Sequence, residues 1–342
     1  MVEAKGIHLV DTSLRDGSHA VSHQFTPEQV ANIAGGLDEA GVKYIEVTHG
    51  DGLAGASYNY GRPAYSDEDR LKAAAAVIKK GKLTVLLIPG IGTKKDLEAA
   101  TEYGARAVRV ATHCTEADVG EQHIALGKKM GLTTFGFLMM SHMVTPEKLA
   151  EQAKLMESYG ADVVYVADSA GAMLPKEVHS KISAVASQVQ IPVGFHAHNN
   201  LSIAVGNSIT AIEAGASFID CCCRGLGAGA GNTQTEVLVG VLDKLNYQTG
   251  IDFYSIMEVA EKRVEPIMHR PQVIDNPALM LGYGGVYSSF LLHTFRAADK
   301  FKVDPLKILV ELGNRKMVGG QEDMIVDVAY ELSQKEFKEV RD

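Results

Sequence analysis

Two scarcities in this sequence set the first limits. Its 342 residues include four cysteines, Cys114 and the run Cys221-Cys222-Cys223, and no two have the spacing of a zinc knuckle or a dithiol redox motif. A disulfide framework is not expected, and the cysteines read as small buried hydrophobes without chemistry of their own. No run of about 18 apolar residues occurs, so no membrane-spanning helix is expected. The first residues, Met-Val-Glu-Ala-Lys-Gly, lack the basic-then-apolar pattern of a secretory leader, and the expected location is the cytoplasm. Positive charge is outnumbered as well. Against 42 Asp and Glu stand 33 Lys and Arg, a net charge of −9, which argues against nucleic acid or anionic membrane as a main partner.

What the chain does have is apolar residues in a regular pattern. Hydrophobic residues make up 46% of it and charged residues 22%, enough to bury a large core. Eight short apolar or β-branched runs read as strands: Ile7–Leu14, Tyr44–Gly50, Leu83–Gly90, Ala107–Cys114, Thr133–Met140, Val163–Gly171, Pro192–Asn200 and Phe218–Gly227. A helical pattern follows each. Several helix starts are marked, by Thr26-Pro-Glu, Ser66-Asp-Glu, Thr93-Lys and Thr145-Pro-Glu, and several ends by Gly41, Gly104, Gly160 and Gly215. Nearly continuous apolar strands need cover on both faces, as in a parallel sheet wrapped by helices. Eight strand–helix units in about 240 residues match a (β/α)8 TIM barrel, with an open doubly wound sheet as the structural alternative. Beyond Tyr247 the pattern turns helical over Ile251–Met268, Gly285–Ala298, Pro305–Leu312 and Glu322–Lys338. The expected division is therefore a barrel over 1–248 and a small helical C-terminal domain over 249–342.

The polar motifs fall at the C-terminal ends of the expected strands, where barrel enzymes place their chemistry. Asp11-Thr-Ser-Leu-Arg15-Asp16-Gly-Ser-His19 follows the first strand, and Phe195-His196-Ala-His198-Asn199 lies on the seventh. Residues two apart on a strand point the same way, so His196 and His198 can share one metal ligand sphere, with Asp16 completing two imidazoles and a carboxylate. The plain alternative is a hydrogen-bonded Asp–His cluster without metal. His49 and Asp51 follow the second strand, and Asp168 and Ser169 end the sixth.

Other features admit more than one reading. Arg224-Gly-Leu-Gly-Ala-Gly-Ala-Gly-Asn232 loosely fits a dinucleotide fingerprint, but that motif belongs to the first unit of an open sheet, so a loop closing over the site reads better. Asn232 is then either a metal neighbour or a helix cap. The long loop from Asp51 through Tyr58, Asn59 and Tyr60 suits a lid or an interface. Tyr283 and Tyr287 read as the start of a tail helix, either packed in its core or placed at the barrel mouth. No lysine lies within or at the C-terminal end of the eight runs, so Schiff-base chemistry has no evident nucleophile and carbonyl activation falls to the metal.

At these residues the chain resembles the metal-dependent pyruvate aldolases, within the larger group holding hydroxymethylglutaryl-CoA lyase and isopropylmalate synthase. The larger group is suggested by Asp11-Thr-Ser-Leu-Arg15-Asp16-Gly with His196-Ala-His198 and the glycine loop to Asn232. Closer similarity, to the 4-hydroxy-2-oxovalerate aldolase family, comes from Arg15-Asp-Gly-Ser-His19-Ala, the Gly50-Asp-Gly-Leu loop, Asp168-Ser169-Ala-Gly and the tail's Arg315-Lys-Met-Val-Gly-Gly-Gln-Glu-Asp323-Met. It covers essentially the whole chain. Departures at Ser18, where a bulkier residue is expected, and at Leu53–Ser57 touch the pocket edge and put acyl-chain preference in question.

The resemblance implies cleavage of a 4-hydroxy-2-oxoacid to pyruvate and a short aldehyde, acetaldehyde for the parent compound, in the catabolism of aromatic compounds. It implies Mn2+, with Co2+ or Mg2+ as substitutes, on Asp16, His196 and His198. Arg15 would stabilise the enolate oxygen, His19 would act as base, Ser169 would hold the carboxylate or oxo end, and Tyr287 would order the hydroxyl-bearing end. It also implies a partner, an acylating acetaldehyde dehydrogenase joined in a heterotetramer and fed through a tunnel. The runner-up is an acyl-CoA lyase or condensing enzyme of the same barrel family, which often carries a catalytic cysteine or glutamate in the glycine loop. Here that loop has only Gly, Ala and Leu between Arg224 and Asn232.

Overall fold

A computed structural model describes residues 6–57 and 61–339. Tyr58, Asn59 and Tyr60 of the loop after the second strand lie outside the described residues. The eight strands are β1 (His8–Leu14), β2 (Tyr44–Val47), β3 (Lys82–Leu87), β4 (Ala107–His113), β5 (Thr133–Met139), β6 (Val163–Asp168), β7 (Val193–Ala197) and β8 (Phe218–Cys221). Each pairs in parallel with the next, and β8 returns to β1 with Asp11 opposite Cys221, closing a barrel. The open-sheet alternative is thereby removed.

Helices α1 (Pro27–Ala40), α2 (Asp67–Val77), α3 (Lys94–Glu102), α4 (Glu121–Lys129), α5 (Pro146–Ser158), α6 (Pro175–Gln188), α7 (Ala204–Glu213) and α8 (Thr235–Lys244) follow the strands in turn. Their starts are where the sequence marks them. Thr26 and Gln29 exchange side-chain and backbone hydrogen bonds at α1, and Ser66 with Asp69 does the same at α2. Gly41 ends α1 with a φ of 100°, a left-handed residue that reverses the chain into β2.

The strand runs read from sequence overshoot at the mouth. β2 stops at Val47 rather than Gly50, and β8 at Cys221 rather than Gly227. The small and apolar residues that prolonged those runs belong to loops that bend inward over the site. Inside the barrel floor, Tyr44, Phe135, Tyr165 and Phe218 meet edge-on or tilted, with Phe135 at 5.3 to 6.0 Å from the other three. This aromatic layer seals the end opposite the mouth.

The tail differs in detail from its sequence pattern. The segment expected as one helix over Ile251–Met268 is α9 (Phe253–Glu258), then a wider π-type stretch Val259–Val264 and a 3-10 turn Glu265–Ile267 containing Pro266. It packs on the barrel, where Ile256, Val259 and Val264 join the main core. A helix absent from the sequence reading follows: α10 (Asn276–Gly284), capped by Asp275, whose carboxylate accepts from the Ala278 amide at 3.0 Å. Tyr283 and Tyr287 therefore do not begin a helix. Tyr283 ends α10 and Tyr287 lies in the turn before α11 (Phe290–Phe301), because Gly285 adopts a left-handed φ of 67° and breaks the run. With α12 (Pro305–Asn314) and α13 (Met324–Glu339), these helices enclose a second core that includes Leu281, Phe290, Ile308, Leu312 and Ile325. No helix among the described residues is long and apolar enough to cross a membrane.

Candidate active site

The site starts from the turn after β1. Thr12 to Leu14 carry the chain to the rim, and a single 3-10 turn, Asp16–His19, then folds it back. This turn presents Asp16 inward. From β7 the two-residue strand repeat presents His196, and His198 just past its end faces the same space. One ligand atom from each of Asp16, His196 and His198 lies within 4.8 Å of the others, and all three residues are buried. The sequence-predicted triad is thus brought together.

Buried charges surround it, of which the sequence reading named Arg15 but missed Glu46, Arg109 and Asp220. Arg15 donates to Asp16 at 2.7 Å and to Glu46 at 2.8 Å. Arg109 donates to Glu46 at 3.2 Å and to Asp220 at 2.5 Å, while its guanidinium lies 4.5 Å from the ring centres of both Phe137 and Tyr165. Asp220 in turn holds Nδ1 of His196 at 2.8 Å. The chain Asp16–Arg15–Glu46–Arg109–Asp220–His196 is continuous. Its signal in the sequence was one charged residue within each of β2, β4 and β8, strands otherwise almost wholly apolar.

Electrostatics follow from that pairing. Burial opposes the charge of Asp16, yet Arg15 and the imidazoles of His198 and His196 hold its carboxyl well below the usual range. Burial likewise opposes ionisation of Asp220, and Arg109 and His196 overcome it. For Arg15, the cost of burial is outweighed by Glu46 and Asp16, which raise its pKa. His198 is pushed down to about 4, chiefly by burial, and is a neutral imidazole at pH 7.

The donor set fits a divalent cation. A carboxylate can only accept, so Asp220 fixes the proton of a neutral His196 on Nδ1 and leaves the Nε2 lone pair free. That lone pair faces Nε2 of His198 at 3.2 Å with the Asp16 carboxylate alongside. Asn232 donates to Asp16, while its side-chain oxygen is buried without a hydrogen bond. The cap of α8 is Gln234, so Asn232 is a neighbour of the acidic ligand and not the helix cap. A methyl group on Gly227 would come within 2.6 Å of Asp16 and closer still to Asn232, which explains glycine where this loop crosses the site.

A cavity of about 30 Å³ at the mouth is lined by Arg15, Asp16, Ser169, His196, His198 and Tyr287, together with the apolar Leu86, Ile88, Ala111, Phe137 and Met139 and with Gly50. The Ser169 hydroxyl accepts from the Met140 amide at 3.0 Å. Tyr287 reaches this cavity from the tail, whereas Tyr283 is 73% exposed and takes part in neither the core nor the mouth. His19 stands just outside, in the wall of a larger vestibule of about 500 Å³ that Asp51, Tyr287 and the glycine loop also line. A third space, about 290 Å³, runs from Tyr287 past Ile88, Ile91 and Val119 to Val318 and Gly320. None of the lining residues is a lysine. The three adjacent cysteines are buried, and burial raises their thiols well above the usual value, consistent with packing roles.

Comparison with known proteins agrees with this geometry. Residues 6–262 match the HMGL-like family model, and residues 272–334 match the DmpG-like communication domain. A 4-hydroxy-2-oxovalerate aldolase of Moorella thermoacetica is 70% identical over 98% of this chain and 99% of its own length. One from Carboxydothermus hydrogenoformans is 66% identical over 96% of this chain and 98% of its own. Among solved structures, the carboxyl transferase domain of Rhizobium etli pyruvate carboxylase superposes with a TM-score of 0.81 at 17% identity, covering 97% of this chain and 61% of that one, a likeness of fold alone. The chain therefore belongs to the HMGL-like family and, within it, to the 4-hydroxy-2-oxovalerate aldolases.

Proposed function

We infer that this chain is a carbon–carbon lyase that cleaves 4-hydroxy-2-oxovalerate and its close homologues to pyruvate and acetaldehyde, in the catabolism of aromatic compounds. Asp16, His196 and His198 would hold the divalent ion, Mn2+ foremost, with Co2+ or Mg2+ as substitutes. When bound, that ion supplies Lewis acidity toward the 2-oxo group.

The chain's own residues account for the rest. His19 takes the proton from the 4-hydroxyl as the C3–C4 bond breaks and the aldehyde forms. The electron pair of that bond becomes the pyruvate enolate, whose oxygen develops negative charge within reach of the fixed Arg15 guanidinium. Arg15 is pre-positioned by Glu46 and Asp16, so little reorganisation accompanies the charge. Ser169 holds the carboxylate or oxo end, and Tyr287 orders the hydroxyl-bearing end from above. Return of the proton to C3 completes pyruvate.

The observation that carries this reading is the convergence of Arg15, Asp16, Ser169, His196, His198 and Tyr287 on one small cavity at the barrel mouth. An acyl-CoA lyase is disfavoured by the loop Gly225–Gly231, which carries neither cysteine nor glutamate. The experiment is metal-dependent exchange of the pyruvate methyl protons in D2O. Exchange that requires Mn2+ and stops on chelation is expected, and exchange unaffected by exhaustive chelation overturns the reading. His19→Ala should lower turnover by about 10²- to 10⁴-fold with metal content unchanged. A variant that loses the metal and regains full activity on resupply removes His19 as base.

We also propose a division of labour between a catalytic barrel over 1–248 and a helical unit over 249–342, whose first segment to Ile267 packs on the barrel core and whose helices from α10 onward dock an acylating acetaldehyde dehydrogenase in a cytoplasmic heterotetramer. The match of residues 272–334 to a communication domain supports the docking role. Co-expressed proteins that elute without a shared gel-filtration peak would count against it. Ser18, buried beside the site, leaves aldehyde length to a side-by-side assay of straight-chain 4-hydroxy-2-oxoacids.

A further inference from the structure

We propose that His19, His23 and Asp51 form a second cation site at the barrel mouth, which takes an inhibitory divalent ion of the zinc type and silences His19 by occupying its lone pair. One ligand atom from each of these residues lies within 4.8 Å of the others, a limit that the Asp16, His196, His198 group also meets. Donors around a tetrahedral zinc stand roughly 3.3 Å apart, given bonds of about 2.0 to 2.1 Å, so modest side-chain rotations close the site.

The three residues are held in place independently of any ion. His19 ends the turn that begins with Asp16, and its ring meets that of His23 edge-on at 5.0 Å. His23 stacks on His49 at 3.7 Å. Asp51 is 5% exposed, and its Oδ2 has no hydrogen-bond partner, its nearest counterpart being His49 Nδ1 at 3.5 Å. A buried carboxylate oxygen in that condition is costly, and a cation shared with two imidazoles would satisfy it. A methyl group on Gly50 would come within 2.4 Å of His19 Nε2, so the ring lies flush against the partition between the inner cavity and the vestibule.

Access separates the two groups. The vestibule is lined by His19 and Asp51 but by none of Asp16, His196 and His198, whereas the inner cavity is lined by those three and not by His19. An ion arriving from solvent through the vestibule thus meets His19 and Asp51 before it meets the inner group. Two imidazoles and one carboxylate favour Zn2+ over Mg2+ or Ca2+, which take mostly oxygen ligands. The inner group has the same donor set and also takes Zn2+ in place of Mn2+ at equilibrium, so the two sites are separated by order of arrival, with the base engaged first. Inhibition therefore rests on the assignment of His19 under the proposed function; occupancy of the second site does not.

Equilibrium dialysis against Zn2+ followed by metal analysis tests this on the wild type, Asp51→Asn, His23→Gln and His198→Ala, each checked for folding by circular dichroism. The expected counts are two Zn2+ per chain in the wild type and one in each variant. When Zn2+ is added to Mn2+-loaded wild type for times too short for the inner ion to exchange, checked by the Mn2+ retained, it should inhibit cleavage, and the half-inhibitory Zn2+ concentration should rise about tenfold or more in Asp51→Asn or His23→Gln, each relative to its own uninhibited rate. If both of these variants keep the wild-type count, or if the wild type binds one ion that His198→Ala removes, the inference is overturned. Failure of the inner site gives a different pattern: His198→Ala then matches the wild type, while Asp51→Asn and His23→Gln each lose an ion. Should one of those two not fold, the other decides.

Discussion

At the barrel mouth charged side chains are sealed from water, and on the tail large apolar side chains stand in it. Glu46 and Arg109 are fully buried and Asp220 nearly so, whereas Tyr283 is 73% exposed, Leu292 54% and Tyr330 53%. Only the first arrangement inverts the usual distribution of residues. The barrel tolerates this inversion because Glu46, Arg109 and Asp220 are paired with one another and the aromatic rings of Phe137 and Tyr165 flank Arg109. The exposed rings and leucine of the tail need no such internal compensation, and under the proposed function they are available to a partner. Under the proposed function the contrast separates two tasks: internal charge would stabilise an anionic intermediate, and external apolar surface would receive a partner.

The largest expected effect comes from breaking the internal pairing. Arg109→Met removes the cation shared by Glu46 and Asp220 and leaves two carboxylates in a dry interior. A loss of about 3–5 kcal/mol in unfolding free energy is expected from urea denaturation. A loss below about 1 kcal/mol would mean that these charges are not held against each other as the contacts indicate. Next is Asp220→Asn, which keeps the shape but frees the tautomer of His196. Metal affinity should fall about 10- to 100-fold by titration, with smaller changes in folding. Unchanged affinity would disconnect the buried network from the donor set.

Much of the fold was legible in the residues. Strand positions followed from apolar runs, helix starts from Thr26, Ser66, Thr93 and Thr145, and the pairing of His196 with His198 from the two-residue strand repeat. The network behind them was not, because a search for apolar runs passes over a lone Glu46, Arg109 or Asp220 as noise. A charge in the middle of a strand buried on both faces was the signal available. Helix α10 escaped for a different reason: it is short and glycine-bearing, and only Asp275 before Asn276-Pro277 announces it. The position of Tyr287 depends on how the tail docks over the mouth, which local spacing does not encode.

The seam between the two regions offers a smaller effect, sensitive to pH. His142 sits on the turn after β5 and donates from Nε2 to the Gly285 carbonyl of the tail at 3.1 Å. Burial pushes its pKa down to about 4, below the usual 6.5. The neutral ring is favoured in the folded state, so its contribution is complete above pH 6.5 and is lost as pH falls toward 4. Asp11 and Asp168, raised to about 6 mainly by burial, act in the opposite direction over part of that window. The informative quantity is therefore the stability gap between wild type and His142→Gln, in which those acids cancel. That gap should shrink by on the order of 1–2 kcal/mol between pH 6.5 and 5. A gap independent of pH would show that the seam does not rest on this imidazole.

The smallest effect on the isolated chain is expected at the outer face. Tyr283→Ser removes a ring that is 73% exposed, and unfolding free energy should change by no more than about 0.5 kcal/mol, with cleavage by the chain alone unaltered. If the proposed docking runs through this ring, association with an acylating dehydrogenase should weaken, because an aromatic hot spot in an interface typically contributes about 2 kcal/mol or more. Leu292→Ser, on the neighbouring α11, should act in the same direction. If either variant destabilises the lone chain as much as Arg109→Met does, the exposed face is part of the fold's own support, and the contrast between the two regions fails. Equal affinity for the partner in both variants would place the docking surface on another face of the molecule.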